Sequence, residues 1–182
     1  MARNTLARSM HDVGLAAWFG GTLANAVALN AAASQADSDR GTGAVANVGW
    51  DRWTPVNAAA IGSHLVGSVG QLAGNAPRVS GQRGVASMVL VKTALTVVAL
   101  GATAYSRALG KKVSAQTDVP AESGTEPAAT TPSDVAAAQR RLAVMQWAVP
   151  AVTGALVIVS AFAGEQQRAS EVHKGFLRRM LD

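Results

Sequence analysis

Three histidines, one intrahelical lysine and one aspartate set the chemistry open to this chain. His11 and Asp12 stand together in HDVGLAAWFGG (11–21). His64 lies in PVNAAAIGSHLVGSVGQLAGN (55–75), Lys92 interrupts GVASMVLVKTALTVVALGATAYS (84–106), and His173 falls near the C-terminus. Imidazoles ligate metals and haem, and a bis-histidine haem needs two of them at one depth on facing helices. With the two apolar runs laid antiparallel, His11 sits at the mouth of the first and His64 mid-way along the second. Their depths then differ by roughly ten residues, or about 15 Å at the helical rise, so they are not expected to share an ion. Met10, Met88 and Met145 gather at no single depth either. The chain has no cysteine, which removes disulfides, thiolate metal sites and thiol catalysis. No cofactor and no metal are expected.

Lys92 carries more weight. An ionisable group inside a spanning helix costs about 2.5–3.5 kcal/mol on insertion scales and marks a functional position by default. No Asp or Glu falls in the core of the apolar runs, so no intramembrane counter-ion is evident. Three outcomes are open. Lys92 lies eight residues beyond Gly84, about 12 Å along the axis, and its stem can carry the ammonium toward the surface. It can instead meet an anion, either a lipid head group or a partner's carboxylate. It can also stay neutral among Asn25, His64 and Gln71.

The elements that would position these groups are apolar helices. Of the 182 residues 49% are hydrophobic and 15% charged, well below the roughly 25% charged of soluble domains, and mean hydropathy is +0.19. Four windows approach the roughly 20 apolar residues that a membrane span needs: 10–33, 55–75, 84–106 and 142–164. The second is the weakest, diluted by Ala, Gly, Ser, His and Gln. The fourth contains Pro150, read as a kink. The expected fold is an all-α integral membrane four-helix bundle forming one domain over 1–182. A polar, Pro- and Thr-rich linker (108–133) should be disordered or loosely laid, and Ser133 or Asp134 should cap a helix start. The tail 165–182, with Val172, Phe176 and Met180 four apart among Lys174, Arg178 and Arg179, reads as basic and amphipathic, suited to a membrane surface. Trp18, Trp50, Trp53 and Trp147 read as interface anchors. A cleaved signal peptide is the alternative reading of the N-terminus, opposed by the length of the first run and by Trp18, Thr22 and Asn25 within it.

The formal net charge of +5 is spread around the apolar runs, not along one stripe, and points to anionic lipid, not nucleic acid. Arg3, Arg8, Arg78, Arg83, Arg168, Lys174, Arg178 and Arg179 fall on one side of a four-span bundle. Arg40, Arg52, Arg107, Lys111, Lys112, Arg140 and Arg141 fall on the other. That balance gives little orientation. Both basic tails and the short Arg78–Arg83 loop favour cytoplasmic termini in a multi-pass protein of the cell inner membrane.

At 100° per residue each window carries one polar-and-small stripe. The stripes are His11, Trp18, Thr22 and Asn25 flanked by Gly14 and Gly21; Asn57, His64, Ser68, Gln71 and Asn75; Lys92, Thr96, Ala99, Thr103 and Ser106; and Gln146, Pro150, Thr153, Ser160 and Gly164. Facing inward they serve helix packing, as do the rows Gly20–Ala24–Ala28 and Gly70–Gly74, or they line a polar cavity. The candidate contact residues are Lys92, His64, Gln71, Asn25, Ser68 and Thr96. No internal repeat is expected. Neither GxSxG nor HExxH occurs and no carboxylate pair lies in a window, so no enzyme is expected.

HDVGLAAWFGG, His64, VKTALT and GTEPAATTP together are similar to small actinobacterial four-helix membrane proteins, a resemblance over most of the chain that implies no activity. The His-plus-WxGG opening also resembles the copper-resistance D-type membrane family, which would imply copper. The expected function is that of an accessory or stabilising subunit of a larger membrane complex, lipid-transporting or respiratory. A membrane protein binding a small molecule or anionic lipid around Lys92 is the second reading. A haem or copper protein is the third.

Overall fold

The computed structural model describes residues 4–81, 83–116 and 119–165; the tail expectation over 165–182 lies almost wholly outside them. The described chain is helical, without strands. Helix α1 runs Thr5–Ala33, α-helical over Thr5–Ala24, a π turn over Asn25–Leu29 and α-helical again over Asn30–Ala33. Helix α2 is Asp39–Gly81, α3 is Arg83–Ser114 and α4 is Ser133–Glu165. Thr5–Ala33, Gly84–Ser114 and Ser133–Gly164 are long and apolar enough to cross a membrane. Helix α2, with 43 residues, is about 65 Å long, yet the same polar dilution that weakened its window keeps it out of that set.

The windows 10–33, 84–106 and 142–164 each share one end with a helix to within a residue, and α4 begins at the expected Ser133, but the window 55–75 falls short of α2 at both ends. Hydropathy reports what lipid tolerates, whereas a helix needs only backbone hydrogen bonds and permissive residues. Helix α2 therefore starts at Asp39 and carries Pro55, the expected start, inside it. This displacement resets the register of every contact α2 makes.

The helices associate most closely as α1 with α2 and α3 with α4. Helix α1 also packs on α4, and α2 lies more loosely against α3. Glycines set the first pair. A Cβ on Gly14 would stand 2.5 Å from the Ala60 carbonyl oxygen and the His64 amide nitrogen. One on Gly67 would stand 2.5 Å from the Ala7 carbonyl oxygen and against the His11 backbone. Gly70 and Gly74 continue the seam against Ala7 and Asn4, and Asn4 Nδ2 donates to the Gly70 carbonyl at 2.7 Å. Gly20 meets nothing and Ala24 and Ala28 are exposed, so that row does not pack.

The expected inward stripes are buried in part. His11, Gly14, Trp18 and Thr22 of α1 are buried, as are Asn57 and His64 of α2, Ala99 of α3, and Pro150 and Thr153 of α4. Trp18 is not an interface anchor. It is 0% exposed and clusters with Ala60 and Ala99, with Ile61, Leu100 and Val152 packed around them. Trp53 lies over Gly21, Trp50 is held by Asn30, and Trp147 alone of the four is largely exposed, at 51%.

The linker is shorter than expected and is seated on the bundle. Helix α3 continues to Ser114 and α4 begins at Ser133. Between them Val119, Ala121, Thr125 and Ala128 are buried, and Val119 joins a cluster with Leu109, Val113, Val135 and Ala138. The Ala121 amide donates to the Asp39 carbonyl at 3.0 Å and Glu122 to that of Glu126 at 2.9 Å. The Thr131 hydroxyl donates to the Pro120 carbonyl at 2.6 Å. Polar composition argues for disorder, but a few small apolar residues at suitable intervals are enough to seat so short a segment.

The π turn in α1 admits one extra residue and leaves Asn30 buried just past it. Asn30 Nδ2 donates to Gln146 Oε1 at 2.6 Å, Trp50 Nε1 donates to Asn30 Oδ1 at 3.0 Å, and Gln146 Nε2 donates to Thr125 Oγ1 at 3.1 Å. Two amides, Asn30 and Gln146, thereby tie α1, α2, α4 and the linker. Asn30→Leu should cost about 1–3 kcal/mol, because the partners it strands stay buried. Limited proteolysis within 119–132 should accelerate in that variant.

Candidate functional site

At the opposite end of the α1–α2 seam from Asn30, the helices diverge around a cavity of about 870 Å³. Helix α1 contributes Arg8, His11 and Asp12; α2 contributes Ser68, Gln71 and Asn75; α3 contributes Lys92 and Thr96; α4 contributes Ser160 and Gly164. The remaining wall is mainly aliphatic, with Leu15, Leu72, Val89, Leu100 and Val157.

Several polar groups on the wall are already engaged with their own helices. Ser68 Oγ donates to the His64 carbonyl at 2.7 Å, Thr96 Oγ1 to the Lys92 carbonyl at 2.8 Å and Asn75 Nδ2 to the Gln71 carbonyl at 2.8 Å. Others are not. Gln71 Nε2 and Ser160 Oγ are buried without a hydrogen-bond partner. Among the described residues neither Lys92 nor Arg8 forms an ion pair. Lys92 lies within electrostatic reach of Asp12 and Arg8. A carboxylate expected at the membrane mouth thus faces the lysine across the cavity, while Asp12 Oδ1 also accepts from His11 Nδ1 at 2.7 Å.

Of the six candidate residues, Lys92, Thr96, Ser68 and Gln71 line one cavity. His64 stands behind its wall against His11. Asn25 belongs elsewhere: it opens the π turn, with Nδ2 buried and unpartnered. Arg8 and Asp12 are wall residues outside the expected set, whereas Ser160 falls on the inward stripe of the fourth window. The first window opened at Met10, so Arg8 was left outside and Asp12 at the rim.

The larger correction concerns the histidines. Both are 1% exposed, and their ring centroids are 4.5 Å apart at an interplanar angle of 46°. The expected 15 Å offset fails because the turn after Ala33 leads into α2 at Asp39, far ahead of Pro55. The antiparallel register then sets the glycine after each histidine against the backbone of the other, Gly14 on His64 and Gly67 on His11. This reciprocity is that of a local two-fold, and it corrects the expectation of no repeat. Asn4, Ala7, His11, Val13 and Gly14 recur as Asn57, Ala60, His64, Val66 and Gly67, the pattern NxxAxxxHxVG at 4–14 and 57–67. The signal was legible at a spacing of 53, but it runs across the boundary drawn at Met10.

No known family model, curated protein or solved structure matches this chain.

Proposed function

We propose that this chain is a non-enzymatic, multi-pass protein of the inner membrane that holds an anionic amphiphile. Lys92 and Arg8 take its head group, and the aliphatic wall takes its hydrocarbon. The observation that carries this reading is the donor set. An ammonium and a guanidinium without an ion pair, and an amide nitrogen and a hydroxyl without a hydrogen-bond partner among the described residues, gather on one mainly apolar cavity. Charged groups in a low-dielectric setting need a counter-charge, and Asp12 is one carboxylate for two cations. Anionic lipid is the most abundant counter-charge at a membrane surface. The looser packing of α2 on α3 gives such a molecule a lateral way in.

Native mass spectrometry of the protein released from vesicles of mixed phosphatidylglycerol and phosphatidylcholine should show one retained phosphatidylglycerol. Lys92→Ala should lower that occupancy about tenfold, a change of about 1.4 kcal/mol. Equal retention of both lipids, or occupancy unchanged by Lys92→Ala, overturns the reading.

The second reading, an accessory subunit of a larger membrane complex, is favoured by the exposure of α3. Only 6% of its apolar window is buried, against 28% in α1 and 22% in α4. The same spectra test it, since a companion polypeptide would then accompany the protein from native membranes.

A further inference from the structure

The histidine pair borders the cavity, with His11 on its wall and His64 behind it, and asks for a different ligand from the cavity's donors. His11 Nδ1 is bonded to Asp12 Oδ1 at 2.7 Å, and His64 Nδ1 to the His11 carbonyl oxygen at 3.3 Å. A carboxylate and a carbonyl only accept, so each Nδ1 carries the hydrogen and each neutral ring keeps its lone pair on Nε2. Both Nε2 atoms are buried and, among the described residues, have no partner. Two acceptors from the two halves of a local repeat are thus carried on rings 4.5 Å apart.

We infer that His11 and His64 are two protein ligands of a late first-row transition-metal ion, bound through both Nε2 atoms. Three features of the pair support this. Metal-ligating histidines characteristically donate the other ring N–H to a carboxylate or backbone carbonyl, which fixes tautomer and orientation, and both partners are present here. Two imidazoles in cis on one ion at about 2.0 Å bonds place their centroids about 4.5–5 Å apart, which the pair matches. Trans ligation, as across a haem iron, would need about 6 Å, so haem is not the group. Among the described residues no third His, Asp, Glu or Cys joins the pair. The chain thus supplies two ligands, and the remaining positions fall to water or an anion. Lys92 and Arg8, both within electrostatic reach of His11, weaken binding of the bare cation.

This site does not depend on the amphiphile reading, and the two respond oppositely to one substitution. Full-length protein purified without a histidine tag and with His173→Ala should bind one Zn(II) per chain in isothermal titration. Co(II) should give visible d–d absorption in its place. His11→Gln and His64→Gln should each abolish the event, Asp12→Ala should weaken it tenfold or more, and Lys92→Ala should tighten it while releasing lipid. X-ray absorption of the Zn(II)-loaded protein, with His11 and His64 intact, should report two imidazoles and needs no variant that could misfold. Absence of stoichiometric binding, binding unaltered in the His11→Gln/His64→Gln double variant, or a first shell without two imidazoles overturns the inference.

Discussion

A single methyl at Gly14 or Gly67 is expected to destabilise the α1–α2 pair by about 3 kcal/mol, the upper end of what overpacking costs. The added Cβ in Gly14→Ala meets the Ala60 carbonyl oxygen and the His64 amide, and in Gly67→Ala the Ala7 carbonyl oxygen and the His11 backbone. Those are main-chain atoms of a rigid helix and cannot swing aside as a side-chain tip would. The helices must part, and the histidine contact parts with them. Gly20→Ala and Gly101→Ala provide the opposite sign. A Cβ at either meets nothing within 4 Å, so the better helix former should stabilise by about 0.5–1 kcal/mol. Denaturant titration in detergent micelles, followed by circular dichroism, measures all four. Equal effects at Gly14 and Gly20 would show that the seam is not closely packed.

That contrast bears on how much of the molecule could be read without coordinates. The inward stripe His11–Gly14–Trp18–Thr22 was legible because helical periodicity projects small and polar residues onto one face whatever the helix length. Lys92, Gln71, Ser68 and Thr96 came together on one cavity for the same reason. The histidine pair was not legible, because an antiparallel register depends on where the first helix ends and the second begins. Helix α2 begins among Asp39, Arg40 and Gly41, residues no apolar window includes. Once Gly14 is seen against His64 and Gly67 against His11, the repeat at 4–14 and 57–67 is plain. Short polar-and-small motifs are easily passed over when only apolar blocks are compared. The seated linker was hidden for a related reason. Asn30 is brought to its partners by a π turn, and no propensity in NAVAL announces one.

Trp18 carries the largest single expected loss. It forms a buried cluster with Ala60 of α2 and Ala99 of α3, against which Ile61 of α2, Leu100 of α3 and Val152 of α4 pack. Its Nε1 donates to Thr103 Oγ1 of α3 at 3.2 Å, and its ring meets that of His64 edge-on at 6.1 Å. Two of its neighbours, Ala60 and Ala99, are too short to fill the space that its removal would leave. Trp18→Ala should therefore cost about 3–5 kcal/mol. Trp18→Phe separates the terms: it keeps most of the packing and gives up the one hydrogen bond across helices, worth about 1 kcal/mol. If Trp18→Phe proved as damaging as Trp18→Ala, the bond to Thr103 and not the packing would be what holds α3 to the first pair. Because His64 rests against the indole, Trp18→Ala should also loosen the histidine pair, whereas Trp18→Phe should leave it in place. Zn(II) titration of the two variants reads that difference directly.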